Sequence, residues 1–307
     1  MKASIERERA VSFLCPQPLR PGDAVAVVAP SGAAETAQFE AGVEFLQRRY
    51  AVRWTQELCS PKGYLAGSDE HRLKGLQEAI DSDDVRAIFA VRGGYGAMRL
   101  LPKLRLKGRT PKWMVGFSDI TALHALWQRA GWQSLHGPVL TQMGKLPAED
   151  LQTMVNALEK DNNSQSFLGT RCLVPGTAMG PLLGGNLSVF SRLIGTPYLP
   201  DTHGAILLLE DIGEAPYRID RMWTHLRLAG VLNNLAGVVF GGFLKCEDKE
   251  SHDCLEVLEG LVSEIGVPCV AGFPIGHGAR NMAVRLGGRA RLSAGSLRLT
   301  CLHGDTK

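Results

Sequence analysis

What this chain lacks narrows the field before any motif is weighed. No apolar run approaches the roughly twenty residues that a membrane-spanning helix needs. The opening Met1-Lys2-Ala3-Ser4-Ile5-Glu6-Arg7-Glu8-Arg9 mixes both signs of charge, and the apolar piece behind it stops at Pro16. That is too short and too acidic for a signal peptide. There is no Lys/Arg run and no basic patch interleaved with aromatics, and a net charge of +3 over 307 residues gives no basic face. Nucleic acid is therefore not an expected partner, and neither is a lipid bilayer. No internal repeat or low-complexity tract is found. The cysteines number seven, an odd count scattered through a large chain, which argues against a disulfide framework. A reducing compartment is expected, with the cytoplasm as the default.

What is present is the composition of an ordinary globular protein, 45% hydrophobic and 21% charged. The length leaves room for two domains of roughly 150 residues each. Residues 1–20 read as a loosely attached arm closed by Pro16, Pro18 and Pro21. Residues 21–160 read as an α/β domain in which short apolar strands (24–29, 51–56, 85–91, 113–117) alternate with helical patterns (39–50, 70–80, 120–130). Such alternation predicts a parallel, Rossmann-like sheet with helices on both sides. The polar stretch from Asp161 to Ser166 and the turn at Pro175-Gly176 mark a linker over 161–177. Residues 178–307 keep some alternation but carry more strand: 205–209, 236–240, 267–271, 282–286, 290–293 and 297–301, with helices over 186–194 and 216–229. The expected fold is α/β, with a second, strand-richer α/β domain.

In open parallel sheets the site lies beyond the carboxyl ends of the strands. Three loops fall there: Pro30-Ser31-Gly32, Arg92-Gly93-Gly94-Tyr95-Gly96, and Gly116-Phe117-Ser118-Asp119. The glycine-rich loop lacks the G-x-G-x-x-G spacing and follows the third strand, so a dinucleotide is not expected. Gly94 could offer its N–H to a reacting carbonyl, or simply make a tight turn. Ser118 stands where a strand turns into a helix through Gly-x-Ser, a geometry that lifts a hydroxyl out of the backbone. It could be a nucleophile, or Ser118 and Asp119 could only cap the helix.

A serine nucleophile needs an imidazole, and the imidazole needs an acceptor. His124 is out of phase to reach back to Ser118, and no acid neighbours His136. His203, His225, His252 and His303 lack site-like surroundings. His277 lies between two glycines just after an apolar strand, where a ring can be presented without hindrance. Glu210 ends the apolar run Ile206-Leu207-Leu208-Leu209, so its carboxylate calls for a partner. Asp211 and Glu214 are alternatives, although strand alternation turns Asp211 to the opposite face from Glu210. Cys246, His252 and Cys254 invite a metal reading but lack the C-x-x-C pairing of zinc sites, so no metal is expected.

Several stretches together resemble the LD-carboxypeptidases, serine peptidases that include muramoyltetrapeptide carboxypeptidase and the microcin C immunity peptidases. They are Val28–Gly32, Val91–Gly96, Gly116–Thr121, Gly184-Gly185-Asn186-Leu187, Ile194-Gly195-Thr196-Pro197, Leu209-Glu210-Asp211-Ile212 and Gly276-His277. The resemblance implies Ser118 as nucleophile, Glu210 as acid, His277 as base, and backbone N–H groups of Gly94 and Asp119 as the oxyanion hole. It implies hydrolysis of the bond before a terminal D-alanine of a murein tetrapeptide, in peptidoglycan recycling, with no cofactor and a homodimer as the assembly. Arg92, Asn186 and Arg221 are candidates for holding the substrate. Two rival expectations are a peptidase of the same family acting on acyl-sulfamoyl adenylates, with Trp223 as the nucleobase platform, and a non-catalytic small-ligand binding protein.

Overall fold

The computed structural model describes residues 13–55, 61–160, 164–247 and 254–302. Residues 1–12 of the expected arm, Gln56, Asp161 to Asn163 of the expected linker, His252 and His303 lie outside the described residues.

The elements run β1 (Ala24–Val28), α1 (Thr36–Gln47), β2 (Ala51–Arg53), α2 (Asp69–Asp81), β3 (Val85–Ala90), β4 (Trp113–Gly116), α3 (Thr121–Arg129), β5 (Ser134–His136) and α4 (Ala148–Glu159). They continue with β6 (Gln165–Leu168), β7 (Arg171–Val174), β8 (Thr177–Asn186), α5 (Leu187–Ser191), β9 (Ile206–Ile212), α6 (Pro216–Leu228), β10 (Gly237–Leu244) and α7 (Cys254–Ile265). The last are β11 (Cys269–Ala271), β12 (Val284–Leu286), β13 (Arg289–Ser293) and β14 (Arg298–Cys301).

The first sheet has the order β12-β5-β4-β3-β1-β2, with β1 to β5 all parallel. Its strands are continuous apolar runs because both faces are covered. Val25, Val27 and Phe89 point into one apolar cluster, with Met154 and Leu158 of α4. Ala26, Val28 and Ile88 point into the other, with Leu76 of α2 and Trp127 of α3. The second sheet has the order β6-β14-β13-β8-β9-β10-β11-β7, parallel from β8 to β11 and antiparallel towards both edges. The α/β class and the strand-richer second part are as expected.

Three local expectations change. The described end of the arm is pinned: Leu14 pairs with Trp132, Leu19 is buried, and the Leu19 N–H donates to Leu158 O at 2.8 Å. The stretch expected to be linker holds β6 and β7, which close opposite edges of the second sheet. Its polar residues mislead because half of a short edge strand faces water: Gln165 and Phe167 are buried, Ser166 and Leu168 exposed. Finally, β12 does not join the second sheet. It runs antiparallel to β5, with Val284 opposite His136, and so completes the first. Arg285 anchors it, with its buried guanidinium on the carbonyls of Ala157 and Lys160 and over the Trp113 ring at 5.4 Å. The segment 272–283, which carries His277, is the chain's passage from the second sheet back to the first.

Candidate active site

The nucleophile candidate sits at an unusual backbone. Ser118 takes φ +63°, one of four non-glycine residues with positive φ among those described. A left-handed serine costs on the order of 1–3 kcal/mol. Its neighbours offset this: Phe117 and Ile120 are buried, and each large apolar side chain taken out of water returns roughly 1.5–3 kcal/mol. The turn 118–120 is a 3-10 helix leading into α3, and neither it nor α3 is capped by a side chain. The capping role considered for Ser118 and Asp119 is thus not what their side chains do.

Asp119 instead ties the loops together. Its buried carboxylate oxygen Oδ2 accepts from Ser31 Oγ at 2.6 Å and from the Ala97 N–H at 2.8 Å. Burial raises the Asp119 carboxyl above its ordinary range, against the pull of those two donors. The Gly32 N–H donates to Gly93 O at 3.1 Å, which joins the first two loops directly. Gly93 then lies against the serine. A Cβ added there would sit 2.9 Å from Ser118 Cβ and 3.1 Å from its Oγ, so only glycine fits. Its neighbour Gly94 has φ +111°.

Glu210 is fully buried near the end of β9 and meets His277, with Nδ1 and Oε2 2.6 Å apart. The same oxygen accepts the His277 main-chain N–H at 3.0 Å. With a carboxylate opposite, Nδ1 is the donor, which leaves Nε2 with its lone pair free to take a proton. Burial presses the His277 pKa down, but the hydrogen bond and charge of Glu210 outweigh it and leave the pKa above its ordinary value. The ring packs on Phe117, centroids 4.7 Å apart. Phe117 is the chain neighbour of Ser118, so the imidazole from the second half stands beside the serine turn of the first. Asp211 turns away, as strand alternation requires, and accepts from Asn186 Nδ2 (2.9 Å), Ser188 N (2.8 Å) and Ile212 N (2.8 Å). Burial lifts its carboxyl to about 6.

The other candidates separate. Asn186 caps α5, and its amide is taken up by Asp211, Val189 N and Glu210 O. It braces the strand end that carries Glu210. Arg92 is exposed beside Gly93, with Nη1 on Ala33 O at 3.1 Å. Arg221 is exposed on α6 with its guanidinium over the Tyr217 ring at 5.3 Å. Trp223 is buried against Phe240 and offers no face to a nucleobase. His124 is a core residue, bonded through Nε2 to Gly116 O at 2.8 Å and through Nδ1 to Ser134 Oγ at 2.9 Å. His136 is equally buried, and burial holds both rings neutral. Among the described residues no cluster of His, Cys, Asp and Glu could hold a metal ion. Sequence reasoning missed Phe117 as the shelf for the base, and Asp150 and Asn281, which hold the His277 loop.

Known proteins share this plan. The family model of the LD-carboxypeptidase N-terminal domain matches residues 25–137, and that of the C-terminal domain matches residues 179–292. The murein tetrapeptide carboxypeptidase of Pseudomonas aeruginosa is 33% identical over 303 residues, covering 89% of this chain and 94% of that protein. The crystal structure of muramoyltetrapeptide carboxypeptidase from Oxalobacter formigenes superposes with TM-score 0.81 at 30% identity, covering 92% of this chain and 99% of that one. The wild-type apo microcin C7 self-immunity protein MccF gives TM-score 0.85 over 95% of this chain and 99% of its own, but at 22% identity that likeness speaks for the fold alone. With both family models matched in order along one chain, the protein belongs to the LD-carboxypeptidase family and is a peptidase.

Proposed function

We propose that this peptidase removes the terminal D-alanine from murein tetrapeptides by a serine mechanism, in the cytoplasm, as a step of peptidoglycan recycling. The single observation that carries the reading is the buried Glu210 holding the imidazole of His277 against Phe117, beside a serine forced into left-handed backbone. Relatives named for murein peptides supply the substrate class. An odd count of seven cysteines scattered through the chain favours a reducing compartment. The family resemblance also points to a homodimer, which light scattering would check.

In this mechanism Ser118 Oγ attacks the carbonyl before the terminal residue while His277 Nε2 takes its proton. The N–H groups of Gly94 and Asp119 receive the developing oxyanion. His277 then gives the proton to the leaving D-alanine amine, and water, activated by the same ring, releases the tripeptide. Glu210 stabilises the imidazolium that forms on the way. Arg92, at the rim of the glycine loop, is the cation best placed for the terminal carboxylate. We divide the chain accordingly: the nucleophile on the domain of residues 21–160, which β12 completes, and the acid and base on the domain built around the second sheet, from β6 to β14 apart from β12. The decisive test is mass spectrometry of a murein tetrapeptide incubated with the protein. Loss of one alanine is expected, and an intact tetrapeptide would end the assignment.

Two further results are expected. His277 works only when neutral, and its pKa lies above roughly 6.5. The ratio kcat/KM should therefore rise with pH on a single-proton limb centred above that value, then level off. A limb at ordinary carboxylate pH would assign the base elsewhere. The stabilisation has the opposite slope: the ion pair contributes fully below the unfolded-state value and is lost as pH climbs through the folded one. The second result concerns Gly93→Ala, whose methyl group pushes against Ser118. Displacing a reacting group by a fraction of an ångström to an ångström costs about a hundredfold in rate. The loss should appear in kcat, and the clash with Ser118 Cβ should also lower stability by about 1–3 kcal/mol, leaving a folded protein.

A further inference from the structure

His277 sits in the passage 272–283, and that passage is clamped on two sides. On one side Glu210 takes both the ring and the main-chain N–H of His277. On the other, the Gly276 N–H donates to Asn281 Oδ1 at 3.0 Å, and the Asn281 N–H donates to Asp150 Oδ2 at 2.9 Å. Arg280 Nε reaches the other oxygen, Asp150 Oδ1, at 2.7 Å. Asn281 and Asp150 are both fully buried. Asp150 lies in the first turn of α4, which packs on the first sheet. Asn281 Nδ2 also donates to Gln142 Oε1 at 3.2 Å, and the preceding residue, Thr141, donates its N–H to Val91 O at 3.1 Å, directly before the Arg92–Gly94 loop.

From this geometry we infer that Asp150, acting through Asn281, is a positioning residue for the base: it fixes the His277 loop to the same unit of the first sheet that carries the glycine loop and Ser118. The inference rests on the reading of His277 as base. A plain ion pair with Arg280 would use one carboxylate oxygen and leave the loop backbone alone. Here the second oxygen is spent on main chain, and the chain of buried bonds ends at the N–H next to His277. Glu210 grips the ring, but without the clamp the loop that presents it could shift, which would stretch that grip and change the ring's distance from a serine on the first sheet. A buried carboxylate is costly unless it is matched by donors, and three of them converge on Asp150 from one short segment.

The test compares Asp150→Ala, Asp150→Asn and Asn281→Ala with the wild-type protein. Tetrapeptide turnover is measured alongside the His277 ring pKa, the latter by NMR titration of histidine-labelled protein assigned with His277→Gln. In Asp150→Ala kcat should fall about ten- to hundredfold with KM within roughly threefold, because binding is untouched while the base is misplaced. Its His277 pKa should drop towards roughly 6.5 as the contact with Glu210 loosens. Asp150→Asn, which keeps one oxygen acceptor, should recover most of the loss. Asn281→Ala should behave like Asp150→Ala and gives the same reading if Asp150→Ala does not fold. Folded variants with wild-type kcat, or a loss of kcat with the His277 pKa unmoved, would overturn the inference. If the wild-type protein cleaves no tetrapeptide yet the ring pKa still responds to Asp150, the clamp stands and the proposed reaction falls.

Discussion

Ser118→Ala should abolish turnover, with kcat down on the order of a millionfold, the scale seen when a serine nucleophile is removed from a triad. The fold should survive. The side chain is half-buried, and the loops around it are knotted through Asp119, Ser31 and Gly93, none of which uses the Ser118 hydroxyl. Alanine pays the same left-handed backbone cost as serine, so the melting temperature should move by no more than a few degrees. What remains after the substitution is the contribution of the oxyanion donors and of binding. The measurement is single-turnover hydrolysis of the tetrapeptide beside a thermal melt. A folded variant within tenfold of wild type would take Ser118 out of the chemistry.

Glu210→Gln should cost about ten-thousandfold in kcat, because the amide cannot hold the His277 tautomer or balance the imidazolium. Unlike Ser118→Ala it should also destabilise. Glu210 is fully buried, its Oε2 takes two donors from His277, and its Oε1 has no partner among the described residues. An amide there would bury an N–H group with nothing to accept it, a loss of about 1–3 kcal/mol. With the upward pull of Glu210 gone, burial is opposed only by the weaker pull of Asp211 and Cys246, and any residual activity should show its acid limb at lower pH than wild type. Enzyme that keeps wild-type kcat and an unmoved limb would show that Glu210 is not the partner of the working base.

Much of this is readable before any coordinates. The parallel sheet follows from apolar runs such as Ala24 to Ala29, which admit no wet face. The Glu210–His277 contact is half readable: a carboxylate at the end of Ile206–Leu209 needs a donor, and a histidine between glycines could be one. Asp211 and Glu214 are equally open on local grounds, and only the resemblance to the LD-carboxypeptidases pairs these two. The strained backbone at Ser118 is hinted at by Gly-x-Ser at a strand end, although capping would write the same letters. Long-range choices are not readable. Nothing in Gln165–Leu168 or Arg171–Val174 announces that they border one sheet from opposite edges, since four-residue strands carry too little periodicity. Val284–Leu286 reads as a strand but not as a strand of the other sheet, because partner choice is decided by Arg285 on α4 carbonyls and Trp113. Asp150 looks like any acid in a helix's first turn. Only Arg280 and Asn281, some 130 residues further on, give it a purpose.

The return of β12 to the first sheet has a mechanical consequence. A chain that passed once between two lobes could swing open about that passage like a door on one pin. This chain passes three times: after α4, again through 272–283, and once more between β12 and β13. Three crossings resist the tilting that one would allow, which ties the two sheets at a set spacing. The exposed side chains of Tyr64, Arg92 and Tyr95 stand at the rim of the glycine loop on that braced frame.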